Sequence, residues 1–161
     1  MDIFDLAMQM EKEGEAYYRE IAGKCMNDGL SKILNMLADD EAKHYSVFKQ
    51  MKEAQNTDLI ETDVLANAKL VFAKMKQSMQ DFDPQIGQVE LYERALEFEK
   101  TSEDFYMDKA EEVTDEKQKE LFIRIAEEEI KHYFLIENII DFVRKPDTWI
   151  EDAEFNHLDE Y

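Results

Sequence analysis

The chain has 161 residues, with 39 aspartates and glutamates against 19 lysines and arginines, for a formal net charge of −20. A surface this acidic repels phosphate backbones and anionic lipid, which excludes nucleic acid and membrane surfaces as partners, while 44% hydrophobic residues suffice for one packed core. Four glycines and two prolines are too few to punctuate a β fold, and a single cysteine, Cys25, rules out a disulfide framework or a four-cysteine metal site within the chain.

The N-terminal residues Met1-Asp2-Ile3-Phe4-Asp5 have neither the basic nor the apolar region of a signal peptide, and no apolar run approaches the roughly 20 residues of a membrane span. The expectation is a soluble, cytoplasmic protein. From Ile3 to Ile21 apolar residues recur at three- and four-residue steps (Ile3, Leu6, Ala7, Met10, Tyr17, Tyr18, Ile21), which is a helix period. Asn27-Asp28-Gly29 signals a turn. Leu30, Ile33, Leu34, Leu37, His44, Val47, Phe48 and Met51 mark a second helix that fades near Gln55-Asn56-Thr57, so the first two helices form a hairpin.

Thr62 or Asp63 can cap a third helical stretch through Leu65, Leu70, Phe72 and Met75, ending before Asp83-Pro84 because proline disfavours helix in the residue before it. This stretch reads as a crossover. A further helix starts near Ile86 and runs through Leu91, Ala95, Phe98, Phe105 and Ala110 to a turn and cap at Thr114-Asp115; the last continues to about Val143. Four helices of roughly 25 to 29 residues, with short turns within each pair and a long link between pairs, describe an all-α four-helix bundle. The bundle is expected over residues 1–144. Residues 145–161, with Trp149, Ile150, Phe155 and Leu158, form a tail expected to pack on the bundle or on a neighbouring subunit.

Sliding the chain against itself by 88 residues brings Ala7, Glu11, Lys12, Glu15, Tyr18 and Ala22 onto Ala95, Glu99, Lys100, Glu103, Tyr106 and Ala110. The same offset brings Ala38, Glu41, Lys43, His44 and Tyr45 onto Ala126, Glu129, Lys131, His132 and Tyr133. The two hairpins are copies of one unit, and residues near their pseudo-twofold axis occur in pairs. Glu41-x-x-His44 and Glu129-x-x-His132 each place a carboxylate and an imidazole on one helix face, about a turn apart. Glu11 and Glu99 come from the other two helices. Four carboxylates neutralise two divalent ions, and carboxylate with imidazole suits iron, manganese or zinc, so the set fits a dinuclear site. Without metal, four ionised carboxylates in a low dielectric would repel one another strongly.

At these residues the sequence resembles the rubrerythrin branch of the ferritin-like superfamily: Ala-x-x-x-Glu with a tyrosine seven residues later in both halves, and both Glu-x-x-His pairs. The resemblance covers roughly residues 3–143. It implies a ferritin-like four-helix bundle of two repeated helical hairpins with a long helical crossover, holding two iron ions on Glu11, Glu41, His44, Glu99, Glu129 and His132. The activity implied is a non-haem di-iron oxidoreductase that reduces hydrogen peroxide or dioxygen; ferroxidase or iron storage, and non-catalytic metal binding, are the alternatives. Rubrerythrins also carry a four-cysteine rubredoxin domain, which has no counterpart in this sequence, so the expected electron donor is external, a rubredoxin or a flavoprotein. A homodimer is expected. The family's Glu-x-x-Glu on the third bundle helix is here Glu99-x-x-Ser102, with Gly14 at the repeat position, which leaves metal binding intact and bears on the peroxidase chemistry.

Several residues have a plainer role to set against this one. Glu11 and Glu99 are preferred over Glu13, Glu15, Glu97 and Glu103 because positions 7, 11, 14 and 18 form one stripe in which Ala7 and Gly14 leave room. Glu15 is the first replacement to consider, and otherwise it and Glu103 are interhelical or surface charges. Tyr18 and Tyr106 are core aromatics or donors to ligating carboxylates. Asp40 and Glu128 either form helix salt bridges or hold the outer nitrogen of a histidine on the opposing hairpin. His157, with no glutamate three residues before it, is not expected to bind metal, and the nine methionines read as core filler.

Overall fold

A computed structural model describes residues 2–53 and 89–144 of the chain; the crossover expected over 62–82 and the tail at 145–161 lie outside the described residues. Among these residues are four helices, α1 (Ile3–Lys24), α2 (Asp28–Lys52), α3 (Val89–Glu112) and α4 (Glu116–Arg144). α1, α2 and α4 each start where a side chain takes up orphan backbone N–H groups. Asp2 and Asp5 form a reciprocal capping box on α1, with Asp5 N donating to Asp2 Oδ1 at 2.8 Å and Asp2 N to Asp5 Oδ2 at 3.2 Å. Asn27 Oδ1 accepts from Leu30 N at 2.9 Å and Asp115 Oδ1 from Gln118 N at 3.0 Å. These two caps are 88 residues apart, so both hairpins turn through equivalent three-residue links.

α1 lies along α2 and α3 along α4, and the closest helix approaches are within these hairpins. The buried apolar residues form two separate clusters. One gathers Tyr18, Ile21, Leu34, Leu37, Leu135 and Ile139, and the other Phe4, Val47, Phe48, Tyr106, Phe122 and Ile125. In the second, Phe48 contacts Tyr106 and Phe122 at ring centroid distances of 5.3 and 5.6 Å. Each fully buried side chain of this size contributes about 1.5–3 kcal/mol. These clusters, and not the exposed ion pairs of Arg19 with Glu15 and Asp39, therefore carry the stability of the bundle. The layer between the clusters is polar. No helix among the described residues is long and apolar enough to cross a membrane.

α1 has 22 residues, shorter than the expected range, because the capping box at Asp2 and the cap at Cys25 bound it. Asp28 and Gly29 belong to α2: the turn read at Asn27-Asp28-Gly29 is confined to its first residue, which is the cap.

Candidate metal centre

The polar layer is built from all four helices. The hydrophobic stripe of α1 passes through Ala7, Glu11, Gly14 and Tyr18, all buried, and that of α3 through Ala95, Glu99, Ser102 and Tyr106. From α2 come Glu41 and His44, and from α4 Glu129 and His132, so every metal-site residue expected from the sequence is buried in the same layer. Two overlapping sets result. Glu11, Glu41, His44 and Glu129 offer ligand atoms that all lie within 4.8 Å of one another, and so do Glu41, Glu99, Glu129 and His132. Glu41 and Glu129 belong to both sets.

His44 Nδ1 is 3.2 Å from Glu129 Oε1 and 3.4 Å from Glu11 Oε2. The repeat-related contacts are nearly identical: His132 Nδ1 is 3.2 Å from Glu41 Oε1 and 3.4 Å from Glu99 Oε1. The imidazoles lie 5.9 Å apart, their planes inclined by 16°. Each tyrosine reaches across to the other hairpin, where Tyr106 Oη donates to Glu11 Oε1 at 2.6 Å and Tyr18 Oη donates to Glu99 Oε1. His132 Nε2 is 2.6 Å from Asp40 Oδ2, also across the hairpins. A carboxylate only accepts, so this contact holds the proton on Nε2 and turns Nδ1 toward the cluster. Asp40 thus follows the second of its two readings.

Burial pushes Glu41 and Glu129 well above the usual carboxylate range, and the neighbouring carboxylates add to it. Burial acts the same way on Glu11, but the charge of His44 and the Tyr106 hydroxyl outweigh it and leave Glu11 below its ordinary value. Burial disfavours the charged form of both imidazoles. For His132 the Glu99 and Asp40 carboxylates outweigh burial by a wide margin, and for His44 Glu11 does so, so both are raised.

The cluster is short of hydrogen-bond partners in a consistent way. Glu11 Oε2, Glu99 Oε2, both oxygens of Glu41 and Glu129, and Nδ1 of both histidines are buried without one. Orphaned polar atoms in such number are costly unless something else binds them. All of them are metal-donor atoms in two sets that share two carboxylates, which fits a pair of divalent ions.

The acids buried here exceed the four assigned inward from the sequence, since Asp40 and Glu128 are buried too. Ser102 is also enclosed, its hydroxyl without a hydrogen-bond partner, on the same stripe as Glu99. Glu15 stays at the surface, bonded to Arg19. His157 lies outside the described residues.

No curated protein and no solved structure matches the chain. A family model does: the one described as Rubrerythrin matches residues 2–140, most of the chain and all of the polar layer, so the protein belongs to the rubrerythrin family.

Proposed function

We propose that the protein is a dinuclear non-haem iron oxidoreductase that reduces hydrogen peroxide or dioxygen with electrons from a separate rubredoxin-like or flavin-containing donor. The observation that carries this reading is the pair of four-residue ligand sets joined through Glu41 and Glu129. Glu11, Glu41, His44 and Glu129 would hold one ion and Glu41, Glu99, Glu129 and His132 the other. Two bound ferrous ions would supply one electron each to a small oxidant.

The chain's own residues prepare that chemistry. Asp40 orients the His132 ring, and the Tyr18 and Tyr106 hydroxyls hold Glu99 and Glu11 by Oε1, while Oε2 of each carboxylate is buried without a hydrogen-bond partner. Burial raises both tyrosines well above their ordinary value, so they stay protonated as hydrogen-bond donors to Glu99 and Glu11. The apolar clusters on either side exclude bulk water and limit escape of reactive oxygen.

Anaerobic loading with ferrous iron, metal analysis and a peroxide pulse followed in the near ultraviolet test the reading. The expected result is two irons per chain, a spectral change on the pulse and consumption of peroxide, with metal and activity lost together in Glu41→Ala and His132→Ala. Full metal content and activity in both variants would overturn it. Iron oxidation without peroxide turnover, in a large hollow oligomer, would indicate iron storage; zinc alone, without redox response, would indicate a non-catalytic metal protein.

A further inference from the structure

A cavity of about 310 Å³ opens between α3 and α4, lined by Glu99, Lys100, Glu103, Glu129, Tyr133 and Phe134. Its inner wall is the candidate metal centre, since Glu99 and Glu129 are fully buried and contribute three oxygens without hydrogen-bond partners. Its outer residue is Lys100, whose side chain is 60% exposed, and between the two stands Glu103 at 17%. Acidic groups therefore continue from near the surface to the centre. Lys100 Nζ closes on them, 2.8 Å from Glu103 Oε1 and 3.2 Å from Asp104 Oδ1.

The repeat supplies an internal comparison. At the equivalent positions of the first hairpin, Glu15 is 31% exposed and bonded to Arg19 at 3.3 Å, and Lys12 Nζ lies 4.8 Å from the centre of the Tyr45 ring. The residue equivalent to Arg19 is Met107, which cannot hold a carboxylate on the surface. Glu103 is accordingly drawn inward against the cavity with Lys100 over it. The two copies of one unit have diverged at this point.

We infer that divalent metal reaches the centre through the α3–α4 cavity, with Glu103 as the carboxylate that relays it and Lys100 as an electrostatic latch. The inference rests on the reading of the buried cluster as a metal centre. A hydrated cation sheds water most readily to successive anionic oxygens, whereas a neutral oxidant gains nothing from them. An ion pair whose lysine stands largely in solvent is weak, so an arriving cation can displace Lys100 from Glu103 at modest cost. Ahead of it lie the unpartnered oxygens of Glu99 and Glu129.

The test mixes metal-free full-length protein with Co²⁺ in a stopped-flow instrument at low ionic strength and follows the visible absorption of the bound ion, with an equilibrium titration alongside. Glu103→Gln should slow uptake severalfold and Lys100→Gln should speed it, both differences shrinking as salt is raised. The equivalent changes Glu15→Gln and Lys12→Gln should leave the rate unaltered, and every variant should still bind two equivalents. Wild-type uptake rates in Glu103→Gln, or an equal slowing in Glu15→Gln, with two equivalents bound, would overturn the route alone. Failure of the wild-type chain to bind Co²⁺ at equilibrium would overturn the metal centre and the route together.

Discussion

Asp40 lies one residue before a candidate ligand and acts on the other hairpin. Its carboxylate is 2.6 Å from Nε2 of His132 and 4.0 Å from Nε2 of His44, on its own helix. Only the first is a hydrogen bond, so the effect of removing its charge should be unequal between the two imidazoles. Asp40→Asn keeps the volume but lets an amide face Nε2, which frees the ring to take the other tautomer and withdraw Nδ1. Losses of about 10- to 100-fold in metal affinity accompany changes of this kind. Chelator competition should show that loss at one of the two bound ions, the one adjoining His132, with the other little changed; unaltered affinity at both would show that Asp40 does not position the ring. The Glu-x-x-His spacing made the inner candidate ligands legible in the sequence, because three residues of helix fix a shared face. Burial of Asp40 was not legible to the same degree. Asp39, its neighbour, is exposed and bonded to Arg19, while Asp40 is buried with its carboxylate against His132 of α4 in the other hairpin.

The two glycines of α1, Gly14 in its middle and Gly23 near its end, differ in what a side chain would meet. At Gly14 an added Cβ would stand 2.8 Å from the Phe98 ring and 3.3 Å from Glu41 Oε2; at Gly23 it would meet nothing within 4 Å. Alanine in place of glycine in a helix is worth about 0.5–1 kcal/mol, less toward a helix end. Gly23→Ala should therefore raise the unfolding free energy by about 0.5 kcal/mol and leave metal binding unchanged. Gly14→Ala should gain little or no stability, because the Phe98 ring must move aside, and should weaken metal binding by displacing Glu41, which belongs to both ligand sets. Denaturant melts and metal titrations of the two variants check this; equal stabilisation with native metal affinity in both would show that Gly14 is not kept small by the site. At this scale the sequence was highly informative. Period, caps and the 88-residue offset were enough to place both hairpins, and Asn27 and Asp115 cap equivalent helices. Where α1 stops was less legible, since its shortening depends on a local cap at Cys25 and not on the hydrophobic period. The cavity between α3 and α4 was hidden for a different reason: Glu103 matches Glu15 in sequence, and the residue that separates them, Arg19 in one copy and Met107 in the other, lies a turn further along the helix.

For the whole molecule, the buried cluster ties stability to pH in a direction that metal reverses. In the metal-free protein Glu41 and Glu129 have folded-state values well above the ordinary 4.5, so the folded chain binds more protons than the unfolded chain once pH exceeds that value. His44 and His132 are raised above 6.5, and the stability they add is present below that value and lost as pH rises through their folded-state values. Both effects make metal-free stability fall as pH rises from about 5 to about 8. Glu11, lowered below 4.5, acts oppositely but only under more acid conditions, where its stabilisation is lost as pH drops. Metal demands ionised carboxylates and neutral Nδ1 atoms, so binding releases protons and tightens over the same interval. At about a thousand times its dissociation constant a bound ion adds about 4 kcal/mol. The melting temperature of Co²⁺-loaded protein should therefore exceed that of metal-free protein by a margin that widens from about pH 5 to about pH 8. The net charge of −20 offers a competing cause for the metal-free decline, through repulsion across the acidic surface. Salt distinguishes them: about 1 M salt shortens the screening length to about 3 Å and suppresses surface repulsion, but reaches a buried cluster far less. A metal-free melting temperature that still falls with pH in high salt would locate the effect in Glu41, Glu129 and the two histidines, and one that becomes flat would assign it to the surface.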